Sequence, residues 1–271
     1  MKFDGRIPTE GANYSKENPL KELALLLGGA IVVIGGLVFA VAWTADRAVA
    51  AIPPEWEARL FGLRDAEWMG EKAEPDTELE RLTGRLAAHW PENPYDLLVA
   101  RLEAEEPNAL ALPGGIILVT SGLIEQSESE NELAFVLAHE LGHFRNRDHL
   151  RAIGRGLAVR LSLAAGMALI GGDGGSSVVW AEEIASRRFS QGQESDADAF
   201  ALQLVEAEYG HVNGAGDFFT RLPSSESAIA RQFERFLSTH PVSADRIAAI
   251  EELAAERGWR TEGSLTPLKL D

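Results

Sequence analysis

The 271-residue chain contains no cysteine. Disulfides are therefore excluded, and any metal site must use His, Asp or Glu in place of thiolate. This absence suits both a bacterial envelope and a cytosolic face, so it leaves the compartment open. Basic residues are scarce as well. Against 42 Asp and Glu stand only 25 Lys and Arg, for a formal charge of -17. Such a chain does not hold nucleic acid by neutralising phosphates, and it meets anionic lipid only through apolar contacts. No repeat with a period of about 20–50 residues occurs, so solenoids and propellers are not indicated. Long hydrophobic runs number one. It extends from Leu23 to Ala42 without a charge or a proline.

At about 1.5 Å per residue that run measures about 30 Å, one bilayer core. Trp43 and Trp56 follow it, suited to a membrane interface. The run exceeds a usual signal-peptide core and a polar stretch precedes it, so a transmembrane helix at 22–43 is expected. Ala40-Val41-Ala42 supplies the small residues of the rival reading, a cleavage site. Lys2, Arg6, Lys16 and Lys21 precede the run, whereas Arg47, Arg59 and Arg64 follow more sparsely. This bias predicts a cytoplasmic N-terminus and a catalytic domain on the exported, extracytoplasmic side. A second apolar stretch, Leu157 to Ile170, contains Arg160 and is too short to span. It reads as a buried or amphipathic helix, or as a surface resting on the membrane. The following 171–177, rich in glycine, reads as a flexible loop.

What the chain does possess is His139-Glu140-Leu141-Gly142-His143. Leu133, Val136, Leu137, Leu141 and Phe144 recur around it at helical period, and Ser127 and Ser129 each precede a Glu at capping-box spacing. On a helix, residues i and i+4 share a face, so both imidazoles can reach one metal ion with Glu140 beside it. Polar groups in an otherwise apolar stretch need partners, and a metal supplies one. Two His ligands and a neighbouring carboxylate form the core of a hydrolytic zinc site.

A catalytic zinc site usually takes a third protein ligand. Without cysteine it must be His, Glu or Asp. Glu194 and Asp198 lie four apart where a second helix opens, running on to Gly210. One can bind the metal, while the other fixes the tautomer of a ligand His. By themselves these acids would read as charge complementing a helix N-terminus.

Four blocks occur in order: residues 108–124 (beginning Asn108-Ala-Leu-Ala-Leu-Pro-Gly-Gly), 139–143, Glu194-Ser-Asp-Ala-Asp198, and 239–247 (Thr-His-Pro-Val-Ser-Ala-Asp-Arg-Ile). Together they resemble the gluzincin metallopeptidases of the CAAX-prenyl-protease and HtpX type, over roughly residues 75 to 255. The resemblance implies that His139, His143 and Glu194 bind one zinc ion per chain. It further implies that Glu140 is the catalytic carboxylate, that Asp198 supports a ligand from behind, and that His240 and Arg246 line the active site. His240 has two possible roles, as a donor to the developing oxyanion or as a fourth zinc ligand that closes the resting enzyme. Multi-span members carry several long hydrophobic segments, and this chain departs from them in having one.

The expected fold is α+β, mostly α: a zincin-like domain with a small sheet or hairpin beside the active-site helix. Residues 1–21 read as a polar tail, 44–75 as a linker with a docking segment, and 76–271 as the metallopeptidase domain. Asp76 to Trp90 should be a helix and Leu97 to Glu103 a strand. Ala109 to Val119 should be a hairpin turning at Pro113-Gly114-Gly115, able to pair with an extended peptide. His89 reads as a cation at a helix end, and His149 and His211 as solvated. The expected function is a membrane-anchored zinc endopeptidase acting on envelope or misfolded proteins by Glu-assisted attack of water. The alternatives are a zinc-binding, chaperone-like adaptor and a processing peptidase for lipidated peptides. Extended or unfolded proteins are the expected partners, with no nucleic acid.

Overall fold

The computed structural model describes residues 18–61, 73–154, 156, 189–221, 240 and 244–269. The polar tail up to residue 17, the apolar stretch at 157–170 and the glycine loop at 171–177 lie outside these residues. The first helix, α1 (Pro19–Ala51), starts at Asn18, whose side chain accepts the Leu20 N–H at 3.0 Å. It extends beyond the expected span on both sides. Its Pro19–Val41 part has a mean hydropathy of 2.6 and buries none of its apolar window within the protein. By length and composition this part is long and apolar enough to cross a membrane.

A short helix, α2 (Pro54–Phe61), follows after Ile52 and Pro53. Strand β1 (Ala73–Pro75) comes next, in sequence expected to be linker. Three residues, Ala-Glu-Pro, carry no periodicity from which a strand could be read. Asp76 then caps α3 (Thr77–Ala87), its Oδ1 accepting the N–H groups of Glu78 and Leu79. Leu79, Leu82 and Leu86 of α3 are buried, as their spacing predicts.

Strands β2 (Leu98–Leu102), β3 (Ala109–Leu112) and β4 (Ile116–Thr120) complete a mixed sheet of order β1-β2-β4-β3. The central pair β2 and β4 is parallel, and both outer pairs are antiparallel. The β3–β4 hairpin turns at Gly114 and Gly115, both at positive φ. A Cβ on Gly115 would also stand 2.9 Å from the Asp96 carbonyl oxygen. All of β4 is buried, and its side chains alternate between faces. Ile117 and Val119 join the main core, while Ile116 and Leu118 pack with Ala100 and Leu112 on the other face.

After α4 (Ser121–Gln126) comes the central helix α5 (Glu130–Asn146), in which every residue from Asn131 to Phe144 is buried. Of the two capping-box candidates, Ser129 is the cap, accepting the Glu132 N–H at 3.2 Å. Ser127 instead ends α4, its hydroxyl donating to the Leu123 carbonyl. The helix α6 (Gln191–Tyr209) packs on α5 and starts with a full capping box between Ser190 and Gln193. Gly142 makes that packing possible, because a Cβ there would lie 2.7 Å from the Ala197 Cα. The glycine inside the His-Glu-x-Gly-His stretch is thus what lets α6 approach. Residues 148–154 are helical after the turn at Arg147, and helices α7 (Asp217–Arg221) and α8 (Ala244–Arg257) follow α6. The architecture is mostly helical with a small mixed sheet, as expected.

Two histidine readings need correction. His149 is buried and bonds Glu57 at 2.9 Å, because α2 folds over it. His211 is buried where the C-terminal segment returns, Arg260 accepting the Val212 N–H alongside. Both sit in polar sequence, but long-range contacts cover them. His89 meets Glu208 at 3.0 Å.

Candidate metal centre

His139, Glu140 and His143 project from the middle of α5, each at most 1 % exposed. Glu194 and Asp198 project from the first turns of α6, where i and i+4 share a face. His240 precedes α8, and Arg246 lies in its first turns. The structure brings all seven sequence-predicted residues together, and all are buried.

Four donor groups converge. His139 Nε2 lies 3.1 Å from His143 Nε2 and 3.3 Å from His240 Nδ1. Glu194 Oε1 lies 3.2 Å from His240 Nδ1 and 3.5 Å from His143 Nε2. The other Glu194 oxygen is 3.6 Å from His139 Nε2. Zinc–nitrogen bonds of about 2.0–2.1 Å place tetrahedral ligands about 3.3–3.4 Å apart. These separations bracket that spacing, and the four donor groups lie within 4.8 Å of one another, so the set can hold a small cation.

The tautomers agree. Asp198 Oδ1 accepts the His139 Nδ1–H at 2.8 Å, and Asp148 Oδ2 accepts the His143 Nδ1–H at 3.1 Å. Since ionised carboxylates can only accept, each ring when neutral carries its proton on Nδ1 and turns its Nε2 lone pair to the shared point. Arg246 secures this arrangement. Its Nε and Nη2 donate to the two oxygens of Asp198 at 2.5 and 2.7 Å, and its Nη1 pairs with Glu194. Its guanidinium also sits 4.7 Å over the Phe219 ring. A planar fork of this kind holds one carboxylate at two points, which Lys cannot do.

The charges follow. Burial pushes Asp198 up, but the Arg246 and His139 contacts outweigh it and hold the carboxyl below its ordinary range. Asp148 is held low in the same way by His143 and Gln193. Burial opposes ionisation of Glu194 too, yet His240, His143 and His139 hold it well below the usual carboxylate range. Burial dominates at His139 and lowers it, against the pull of Asp198. At His143, burial is overcome by Asp148 and Glu194 together with the charge of Glu140, and the imidazole is pushed up to about 9.

Glu140 differs from its neighbours. Neither carboxylate oxygen has a hydrogen-bond partner among the described residues, and Oε1 lies 3.6 Å from His240 Nε2. A buried carboxylate without donors is costly.

Sequence reasoning missed two residues here. Asp148 reaches His143 only because Arg147, at φ 57 and ψ 33, turns the chain back at the end of α5. Phe189 stacks on the His143 ring at 4.0 Å and 20°. Neither contact follows a helical or strand spacing, so no sequence signal marked it.

Comparisons with known proteins agree with this geometry. The family profile described as peptidase family M48 matches residues 72–254. The mitochondrial metalloendopeptidase OMA1 of Schizosaccharomyces pombe is 32% identical over 158 residues, which cover 58% of this chain and 47% of that protein. A putative beta-barrel assembly-enhancing protease of Vibrio cholerae is 30% identical over 159 residues, covering 55% and 33%. Metalloprotease LoiP of Escherichia coli is 30% identical over 161 residues, covering 57% and 62%. In each case the match spans less than two thirds of the relative's own length.

Proposed function

This chain belongs to peptidase family M48, and from that premise we propose that it is a zinc-dependent endopeptidase anchored in a membrane by α1. The observation that carries this reading is the spacing of the four donor groups, with the undonated carboxylate of Glu140 beside them. His139, His143 and Glu194 would hold the zinc. When bound, zinc supplies Lewis acidity, which polarises the scissile carbonyl and acidifies the attacking water.

The chain's own residues do the rest. Glu140 accepts the proton of the attacking water on a carboxylate oxygen and delivers it to the leaving amine. Asp198 and Asp148 keep the Nδ1 protons of His139 and His143 in place, so both rings present Nε2. Arg246 holds Asp198 in register and neutralises the excess charge of the acids. For His240, the position of Nδ1 within the donor cluster supports the role of a fourth ligand in a resting state.

Substrate is proposed to bind as an extended strand. The outermost strand β3 leaves one backbone edge unpaired among the described residues, and β3 packs against α5. Such an edge can hold a peptide by main-chain hydrogen bonds. This suits unfolded segments, and relatives named as beta-barrel assembly-enhancing proteases favour envelope or misfolded proteins as the substrate class. The catalytic domain is proposed to lie on the exported side.

Glu140→Gln tests the chemistry. It should leave zinc near one per chain and abolish peptide hydrolysis, and substantial turnover in the metal-loaded variant would mean that another group is the base. A topology reporter fused after Asp271 tests the orientation, with activity expected only on the exported side.

A further inference from the structure

Glu57 lies in α2, immediately after the membrane-length helix and outside the 72–254 stretch matched by the family. It is fully buried. Its carboxylate accepts four hydrogen bonds, and every donor lies on the far side of the 62–72 stretch. To Oε1 come the Tyr95 hydroxyl at 3.0 Å and Arg147 Nη2 at 2.7 Å. To Oε2 come His149 Nε2 at 2.9 Å and the Gly114 N–H at 3.2 Å. Burial works against the charge of Glu57, yet His149, Arg147 and Gly114 keep it ionised and below its ordinary range.

A buried carboxylate is a poor choice for docking alone. Apolar residues of similar volume usually hold a helix as well or better, whereas a buried ion pair specifies geometry. Here the geometry concerns residues 147 and 149, which flank Asp148. Arg147 is the one non-glycine residue at positive φ among the described residues, a strained conformation that must be held from outside. Its N–H caps the carbonyls of His143 and Phe144, and its turn delivers Asp148 to His143. The last turns of α1 meet the same place, because Val49 packs on Leu150 and Ile153.

We infer that Glu57 is a positioning residue, which couples the membrane-proximal helix to the metal centre by holding the 147–149 turn that orients His143 through Asp148. The inference rests on the reading of His143 as a metal ligand. On this account the segment next to the membrane is part of the catalytic unit, and the anchor attaches to the back of the metal centre.

The test uses the full chain in detergent, stripped of metal and titrated with zinc against a chelator of known affinity. Glu57→Gln keeps the shape and removes the charge. It should weaken zinc binding roughly tenfold, towards the lower end of the effect of groups behind a ligand. Asp148→Asn should weaken it by about 10–100-fold. If Glu57 acts through Asp148, the double variant should bind no more weakly than Asp148→Asn alone. Additive losses would overturn the inference, because Glu57 would then support the fold by a separate route.

The ligand-field spectrum of the cobalt-loaded protein gives a readout that simple destabilisation does not move. It should shift in Glu57→Gln and stay unchanged in Leu82→Ala, a core substitution in α3. An unshifted spectrum in Glu57→Gln counts against the inference. His143→Ala separates the two levels of the argument. If it kept stoichiometric zinc, the ligand reading itself would fall and the inference with it. If it lost zinc while Glu57→Gln bound within about twofold of the native chain, the ligand reading would stand and the coupling would be refuted. Should Glu57→Gln not fold, Arg147→Ala breaks the same link. Alanine disfavours the left-handed conformation, so without the guanidinium on Glu57 the turn is no longer held. The same loss of affinity, absorbed by Asp148→Asn, is expected there, and unchanged affinity would overturn the inference.

Discussion

Raising the pH should tighten zinc binding, and the structure sets the window. In the metal-free protein His143 holds its proton up to about pH 9, against an ordinary value of 6.5. Zinc must displace that proton. Between pH 7 and 9 the affinity should therefore climb about tenfold per pH unit, about 1.4 kcal/mol each, and roughly 100-fold in all. Above pH 9 this dependence should flatten. The same shift acts on stability with the opposite sign. A histidine whose pKa is raised on folding stabilises the metal-free protein fully below about pH 6.5, and that contribution is lost as the pH rises to about 9. Its size is on the order of 3 kcal/mol. Metal-free and zinc-loaded proteins should thus diverge in Tm as the pH rises. Thermal unfolding with and without zinc at pH 6.5, 7.5, 8.5 and 9.5 measures the gap. Titration calorimetry in two buffers of different ionisation enthalpy counts the protons, and at pH 7 about one should come from His143. A gap that stays constant or narrows, or a proton release near zero at pH 7, would refute the reasoning.

Other substitutions probe the rest of the centre. Asp198→Asn removes the charge behind His139 and sets an NH2 group against one of the donors that Asp198 now accepts from, so metal affinity or activity should fall about 10–100-fold without vanishing; chelator competition and peptide assays measure both, and an unchanged variant would return Asp198 to a helix-start role. For His240→Ala, a closing ligand predicts faster basal cleavage of a short peptide, whereas loss of an oxyanion donor predicts a kcat lower by roughly 10²–10³ with zinc retained. Gly142→Ala would push a methyl into the Ala197 backbone. Since α5 and α6 carry the ligands from facing sides, it should destabilise the domain by about 1–3 kcal/mol and weaken zinc binding as well, both visible as a lower Tm and a higher Kd.

Much of the centre was legible because its spacing is local. His139 and His143 share a face of one helix by geometry alone, and Glu194 and Asp198 do so on another. The helix itself was visible from its apolar period, although that period hid how completely it is buried. The hairpin was marked by Pro113-Gly114-Gly115, where the chain needs positive φ. Strand β1 was not visible, since three residues gain strand geometry only from pairing with β2.

By itself, then, the sequence determined which groups a metal could use, because helical periodicity converts a spacing of four into a shared face. It also marked Leu23 to Ala42 as apolar and long enough to cross a bilayer. The tertiary structure alone decided which distant groups complete the site. Asp148 reaches His143 through a left-handed turn, Phe189 covers its ring, Arg246 clamps Asp198 from another helix, and Glu57 reaches across from the membrane-proximal helix. These contacts depend on how elements far apart in the chain pack together. No local periodicity encodes them, because each is fixed by the joint burial of side chains that only the folded core brings within reach.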